Sequence, residues 1–430
     1  MTRKNTYNDS LKAMYGLRRF GIKLGLDVIK KILSGLGNPE NHFNCIHIAG
    51  SNGKGSIASL LSTILCESDY KVGLYTSPHL VRFNERICIN NQPISDGDVI
   101  DAYEKVIANH HPGREPTFFE ITTAMAFYEF KKHGVDWAVI ETGMGGRLDA
   151  TNIITPALSI ISNISLEHKM YLGNTIAQIA AEKGGIIKEK IPLVTGARQK
   201  AALDVIKRIA ENRNAPIYCM GEAFRVRRNP KGTFTYFGID NKWTNLVNSL
   251  QGRHQVENAA IALASCEVIK KRGASIPYDN IKKGLAKNKW PARLEVVSKN
   301  PTVILDGAHN LSAARNLKRY LNKNLKDRKI TLVIGILDDK PYKAMLQTLI
   351  PGCHRVILSR PEIDRALEPE KLHPIAKSLN SNVFIVPKVA EAIKYALENS
   401  SSNEVICIAG SLYVAGEAKA YFDDSDYFTP

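Results

Sequence analysis

Ile46-His47-Ile48-Ala49-Gly50-Ser51-Asn52-Gly53-Lys54-Gly55-Ser56 is the stretch on which the fold turns. Before it, Cys45 to Ala49 is a short apolar run. After it, Ile57, Leu60, Leu61, Ile64 and Leu65 recur on one helical face. A buried strand, a glycine-rich turn and a helix in that order make a phosphate-binding loop. Gly50, Gly53 and Gly55 are expected to let the backbone curl so that successive N–H groups point inward. Those donors, the helix N-terminus and the Lys54 ammonium then form an anion cradle. The spacing departs from the Walker A form, because Gly55 stands between Lys54 and Ser56.

Working outward, Val72 to Tyr75, Trp137 to Ile140, Leu158 to Ile161 and Pro192 to Val194 read as successive strands, with helical patterns such as Thr122 to Lys132 between them. The alternation predicts an α/β fold whose N-terminal domain is a mostly parallel sheet built around the loop. Residues from Ile217 to Thr244 mix turn signals (Asn229-Pro230-Lys231-Gly232) with aromatic and β-branched residues, which predicts antiparallel strands at the edge of that sheet. Trp290-Pro291-Ala292-Arg293 marks the junction, giving domains 1–292 and 293–430. Past it, Val303 to Leu305, Thr331 to Ile336, Val356 to Leu358, Val383 to Val386 and Val405 to Ala409 predict a smaller Rossmann-like α/β domain. Asp423 to Pro430 is expected to fray.

At 430 residues the chain is long enough for two cores. It has no long apolar run, and Met1 to Ser10 is polar with no signal-peptide core, so a soluble cytoplasmic protein is expected, with no membrane partner. The seven cysteines are scattered and form no Cys-x-x-Cys pair, which argues against a zinc site or a disulfide framework. The net charge of +16 is spread along the chain. A dispersed excess more often means a solvated basic surface than a nucleic-acid groove, and composition does not separate nucleic-acid binding from attraction of small polyanions such as ATP or a carboxylate-rich substrate.

Several constellations suit chemistry. Ser77, in Thr76-Ser77-Pro78-His79-Leu80, stands at the carboxyl end of a strand, where a hydroxyl meets a metal held by ATP. Glu141 closes the strand Ala138 to Ile140 ahead of Gly143-Met144-Gly145-Gly146, a placement that suits a Mg²⁺ ligand. Glu167-His168 lies in a loop. Lys183 shares the buried face of a helix beginning near Thr175 with Ile176, Ile179 and Ala180, so it must be paired, deprotonated or modified, for instance as a carbamate. Asp306, in Asp306-Gly307-Ala308-His309-Asn310, stands at a strand end, Arg293 sits at the junction, and Asn258 offers an amide. Each has an ordinary structural reading when taken singly: a strand-end turn, a solvated carboxylate, a snorkelling lysine, a helix cap formed by Asn310 or Ser312.

In order, the glycine loop, Thr-Ser-Pro-His-Leu, Glu-Thr-Gly-x-Gly-Gly-Arg-Leu-Asp-Ala-Thr-Asn, Glu-His, Glu-Lys, His-Gln-x-x-Asn-Ala-Ala and Asp-Gly-Ala-His-Asn resemble the folylpolyglutamate synthase/dihydrofolate synthase branch of the Mur ligases. The resemblance runs from Tyr15-Gly16-Leu17 to Gly410-Ser411-Leu412-Tyr413. It implies that Asn52, Gly53, Lys54, Gly55 and Ser56 hold ATP phosphates, with further ATP contacts from Asn258, Arg293 and Asp306. It implies Mg²⁺ at Ser77 and Glu141, a second Mg²⁺ at His168, and a carbamylated Lys183. Lys54, His168 and Lys183 are then the catalytic set. Pteroate contacts fall on Gly25, Leu26, Thr117, Phe118, Phe119, Leu148 and Ala150. The family pattern is departed from at Ser51 (usually threonine), Gly184 (usually alanine) and Ala292 (usually glycine).

The activity implied is ATP-dependent addition of L-glutamate to dihydropteroate, to reduced folates, or to both, through an acyl phosphate. ATP is co-substrate, two Mg²⁺ ions are cofactors, a monovalent cation is left open, and the chain is expected to be a monomer that does not engage nucleic acid. The alternatives are a Mur-type ligase acting on another carboxylate and a nucleotide-gated nucleic-acid-binding protein.

Overall fold

The computed structural model describes residues 6–17, 25–110, 114–230 and 232–423. The tail from Asp424 onward and Lys231 of the expected turn lie outside the described residues. The chain forms two compact units. The first runs up to His79 and takes in Phe83–Ser249 and Gln255–Lys289. The second begins at Trp290 and also claims two short segments, Leu80–Arg82 and Leu250–His254.

The first unit is built on an eight-stranded sheet: β1 (Asn44–Ala49), β2 (Val72–Tyr75), β3 (Ile87–Ile89), β4 (Gln92–Pro93), β5 (Trp137–Glu141), β6 (Leu158–Ile161), β7 (Leu193–Thr195) and β8 (Ile217–Cys219). Their spatial order is β4-β3-β2-β5-β1-β6-β7-β8. From β2 to β8 every pairing is parallel; only β3 and β4 run antiparallel. The interior strands β5 and β6 are buried on both faces and are mostly apolar, apart from Glu141 at the end of β5 and Ser159 in β6, as suits a helix-covered parallel sheet. After β1 the chain crosses to β2 on one side, and β6 fills the other. The carboxyl end of β1 is therefore the topological switch point, where the flanking connections diverge and leave a crevice.

The helices start where the sequence supplies caps. Thr117 and Glu120 form a reciprocal capping box ahead of Phe118–Lys132, and Thr175 and Gln178 do the same ahead of Ile176–Gly184. In Lys54–Glu67 eleven residues are buried, from Gly55 to Leu65, so that helix is enclosed rather than surface-lying.

One expectation needs correction. The strands after Ile217 do not extend the edge of the main sheet as antiparallel neighbours. β8 is parallel to β7, and β9 (Arg225–Arg228), β10 (Phe234–Phe237) and β11 (Lys242–Leu246) form a separate antiparallel sheet. Aromatic packing explains the separation: Tyr236 stacks on Trp243 at 5.2 Å and lies 6.5 Å from Phe224, so the three strands have their own apolar face. Buried Glu267, on the helix Arg253–Lys271, then clamps the turn after β10. It accepts from Tyr236 Oη (2.6 Å), Ile239 N (2.8 Å), Asp240 N (3.2 Å), Asn241 N (2.9 Å) and Asn241 Nδ2 (2.7 Å). Glu267→Ala strands all these donors. It is expected to lower the unfolding free energy of the first unit by about 3 kcal/mol, read as a shift in the urea midpoint.

The second unit holds a six-stranded sheet of β12 (Arg293–Lys299), β13 (Thr302–Asp306), β14 (Ile330–Ile334), β15 (Arg355–Arg360), β16 (Val383–Lys388) and β17 (Val405–Ala409). Its order is β12-β13-β17-β14-β15-β16, parallel except for β12. β12 was not foreseen, because its polar, half-exposed alternation carries no apolar run. No helix among the described residues is long and apolar enough to cross a membrane.

Candidate active site

The loop at the end of β1 has the conformation its glycines permit. Gly50 has φ +147°, and a Cβ there would overlap Ser162 Oγ. Gly53 has φ +86°, and a Cβ there would lie 2.5 Å from Asn258 Oδ1. Both positions therefore demand glycine. Gly55 does not belong with them: it falls in the first turn of the Lys54–Glu67 helix with no positive φ, so its contribution is compactness rather than backbone curl. The same contact at Gly53 places Asn258 against the loop.

The loop is held by a segment that sequence reasoning passed over. Asn163 Oδ1 accepts from Asn52 N at 3.0 Å, while Ser162 Oγ and Asn163 Nδ2 donate to Asn52 O at 2.7 and 2.8 Å. Ser165 N donates to Ser51 Oγ at 2.9 Å. The signal was present in the polar run that begins directly after β6, the strand beside β1. Serine in place of the usual threonine at position 51 supplies the oxygen this contact needs.

Four charged groups converge on the loop. Lys54 Nζ lies 3.7 Å from Glu141 Oε1, at the end of β5. Lys183, with 2 % of its side chain exposed, donates to Gly50 O at 2.9 Å and sits 2.8 Å from Glu167 Oε1. The unmodified side chain is thus paired with Glu167. Burial pushes the Lys183 ammonium below the ordinary lysine value, against the attraction of Glu167 and with the repulsion of Lys54. Burial alone would raise the Glu167 carboxyl, but the Lys183 and Lys54 ammoniums outweigh it and hold it at about 2. His168, next along the chain, is exposed with φ +44° at the head of a short helical turn. Ser77 follows β2 by two residues, and β2 lies against β5, the strand that carries Glu141. Ser56 Oγ and Thr142 Oγ1 are buried hydroxyls without a hydrogen-bond partner among the described residues. Two such oxygens, one at the loop and one directly after Glu141, fit a bound metal–polyphosphate group, which would supply what they lack.

Of the residues assigned to pteroate, Leu26, Phe118, Phe119 and Ala150 belong to one apolar cluster. Phe118 stacks on Tyr15 at 5.7 Å and meets Phe83 edge-on at 6.3 Å, and Phe119 lies 6.0 Å from Tyr75. The buried Arg86 guanidinium stands 5.1 Å over the Phe118 ring and donates through Nε to His79 Nδ1 at 2.8 Å. A half-open aromatic wall with one fixed cation suits a flat heteroaromatic acid. Phe83 and Arg86 were missed from the sequence, where they resemble ordinary loop residues. Thr117 is largely occupied as a helix cap. Gly25 precedes the helix Asp27–Gly35 with φ +149°, and Leu148 is half-buried outside the cluster.

Arg293 and Asp306 come together in the second unit, paired across β12 and β13. Asp306 accepts from Leu294 N at 3.1 Å and Ala308 N at 3.0 Å, and Asn310 caps the following helix through Ala313 N. Burial pushes the Asp306 carboxyl up to about 6, with Arg293 opposing. A carboxyl raised from 3.8 in this way favours folding most when protonated. Its contribution is fully present below pH 4 and is lost as pH rises through 6. Asp306→Asn should therefore flatten the stability difference between pH 4 and pH 7 by about 3 kcal/mol, measured as variant-minus-wild-type urea midpoints.

Comparison with known proteins follows the same division of the chain. Residues 48–266 match the model of the Mur ligase middle domain, and residues 292–412 match that of the Mur ligase, glutamate ligase domain. The chain is 36% identical over 428 residues to the dihydrofolate synthase/folylpolyglutamate synthase of Bacillus subtilis, covering 96% of this chain and 98% of that one. It superposes on the Escherichia coli FolC structure in complex with DHPP and ADP with TM-score 0.91 at 27% identity, covering 98% of each. The bifunctional folylpolyglutamate synthase/dihydrofolate synthase of Yersinia pestis, complexed with AMPPNP and Mn ion, gives TM-score 0.88 at 27% identity, covering 98% of this chain and 100% of that chain.

Proposed function

The chain belongs to the Mur ligase family, in its branch of dihydrofolate synthases and folylpolyglutamate synthases, and from that membership we propose that it uses ATP to join L-glutamate to dihydropteroate, to reduced folates, or to both. The single observation that carries the reading is local to the first unit. Lys54, Glu141, Glu167 and Lys183 converge on the Gly50–Ser56 loop, and the aromatic wall around Phe118 belongs to the same unit. In this reading residues 1–292 bind ATP and the pteroate head, and residues 293–430 form the glutamate ligase domain.

A carboxylate resists nucleophiles because of its own charge. Transfer of the γ-phosphoryl group to one carboxylate oxygen gives an acyl phosphate and ADP. The glutamate amine then attacks the carbonyl carbon, loses a proton, and inorganic phosphate leaves with the bridging oxygen. Lys54 and the loop N–H groups offset charge on the transferring phosphoryl group. In this reading Asn258, Arg293 and Asp306 make further contacts with ATP. Ser77, Glu141 and His168 would hold Mg²⁺, two ions in all, whose part is to neutralise phosphate charge and align the reacting oxygens. As a free ammonium Lys183 keeps the loop carbonyl and Glu167 in place; as its carbamate, an anion, it would instead offer a carboxylate-like oxygen to Mg²⁺. The reading takes the chain as a monomer working on small molecules, with a monovalent cation as a permitted addition.

The test supplies ATP, Mg²⁺, L-glutamate and either dihydropteroate or tetrahydrofolate, and follows ADP and the conjugate. Glutamate-dependent turnover with at least one acceptor is expected. Absence of turnover with both overturns the reading.

A further inference from the structure

The helices Leu311–Asn324 and Tyr342–Leu349 pack side by side in the second unit and contain five cations, Arg315, Lys318, Arg319, Lys323 and Lys343, with no aspartate or glutamate. Four of these, Arg315, Lys318, Arg319 and Lys323, line an open groove of about 490 Å³. Cations elsewhere are commonly paired with acids, as Lys287 is with Glu67 and Arg360 with Glu368. Among the described residues none of the four groove cations has a carboxylate within ion-pair distance. Lys318 is instead anchored on the carbonyls of Leu349 and Pro351, at the end of the neighbouring helix. Arg315, Arg319 and Lys323 follow one another at four-residue intervals, so they form a stripe rising about 6 Å per step along one face. An unneutralised stripe of this kind is a ready surface for a flexible polyanion.

The stripe is not remote from the chemistry of its own unit. Its helix is the one that begins at Asn310, directly after Asp306-Gly307-Ala308-His309. Arg319 and Arg293 both act on His254, whose imidazole is pushed down to about 4 by burial and by these two charges. Arg319 thus links the groove to the residue proposed to meet ATP.

We propose that this groove binds the γ-linked polyglutamate tail of a substrate that already carries several glutamates. The inference rests on the ligase reading above and adds a second subsite to it. Each round of addition lengthens the tail by one residue and leaves one more free α-carboxylate. The reaction centre does not move, so a long tail draws the pteroate ring away from its aromatic wall whenever the terminal carboxylate reaches the γ-phosphate. A longer substrate needs another hold, and its own carboxylates are what it offers. The charge of +16 that composition left undivided between nucleic acid and small polyanions is, along this stripe, assigned to a small polyanion.

Two measurements on the full chain test the proposal. The first titrates unconjugated tetra-γ-glutamate into the protein by calorimetry at low and high salt, in wild type and in the double variant Arg315→Glu/Lys323→Glu. The second compares KM for mono- and tetraglutamyl tetrahydrofolate in the same proteins and in a charge-matched control, Lys377→Glu/Lys394→Glu. The groove variant is expected to lose peptide binding and to raise the tetraglutamyl KM about tenfold more than the monoglutamyl KM, an effect that salt erodes in wild type. Equal changes in groove and control variants, or peptide binding unaffected by the groove charges, overturn it. Absence of turnover with every acceptor overturns the ligase reading instead, and the calorimetric arm still decides the groove.

Discussion

Lys183→Ala lowers kcat by about a thousandfold or more, comparable to the loss of a key electrostatic group in an acyl-transfer site. The side chain makes two contacts with different consequences. Its bond to Gly50 O pins the carbonyl at the entrance of the phosphate loop, and its pairing with Glu167 keeps a half-buried carboxylate charged. Without it, Gly50 O loses the Lys183 donor and Glu167 keeps the attraction of Lys54 and His168. Its carboxyl then rises from about 2, so the next residue, His168, gains an altered neighbour. Breaking such a pair also costs about 3 kcal/mol of stability, so kcat is read at a temperature where circular dichroism shows the variant folded. The form in which Lys183 acts is separable by rescue. Short carboxylates restore activity if the native group is a carbamate, and short primary amines restore it if the native group is an ammonium. Rescue by neither, with ADP affinity retained, assigns Lys183 to loop positioning alone. Wild-type activity in the variant removes Lys183 from the mechanism.

Most of what frames this site was legible in the sequence because it is local and periodic. The strand at Leu158–Ile161 and that at Val405–Ala409 coincide with the apolar runs that predict them, since strands buried on both faces are built mainly from apolar residues. Lys183 was placed on the buried side of its helix by the spacing from Ile179 and Ala180, and both flank it in the structure. What could not be read is long-range and polar. Asn163 holds Asn52 across 111 positions, and neither its residue type nor its spacing announces that partner. Arg86 is a buried cation whose company, His79 and Phe118, is assembled by two separate segments. β12 failed to register because one face of an edge strand needs no apolar residues, and the small sheet of β9 to β11 was joined to the wrong neighbour because antiparallel propensity does not say which sheet a hairpin completes. Leu80–Arg82 and Leu250–His254 belong to the second unit although each is embedded in sequence of the first, which no boundary signal could convey.

Lys54→Met is expected to cost about 10²–10³ in kcat with a smaller change in KM for ATP, the magnitude of one well-placed donor at a developing charge. The substitution keeps the apolar stem and removes only the ammonium. Lys54 opens the enclosed helix Lys54–Glu67, so its backbone position is fixed by the eleven buried residues behind it and does not depend on its charge. Its Nζ faces Glu141 at 3.7 Å, longer than a direct charge-assisted hydrogen bond, which leaves the ammonium able to turn toward a phosphate oxygen. That freedom is why the effect falls on kcat. An ammonium already committed to Glu141 would lower ground-state and transition-state energies alike, and its loss would appear in KM. Lys54→Arg is expected to restore little, because a planar fork does not replace a compact charge between Gly53 and Gly55. The matching stability measurement should show a loss of about 3 kcal/mol, since the substitution leaves the buried Glu141 carboxylate without this ammonium. A tenfold rise in KM at unchanged kcat contradicts this account and makes Lys54 a nucleotide anchor only. The γ-phosphoryl charge would then be met by the loop N–H groups and the groups held at Ser77 and Glu141.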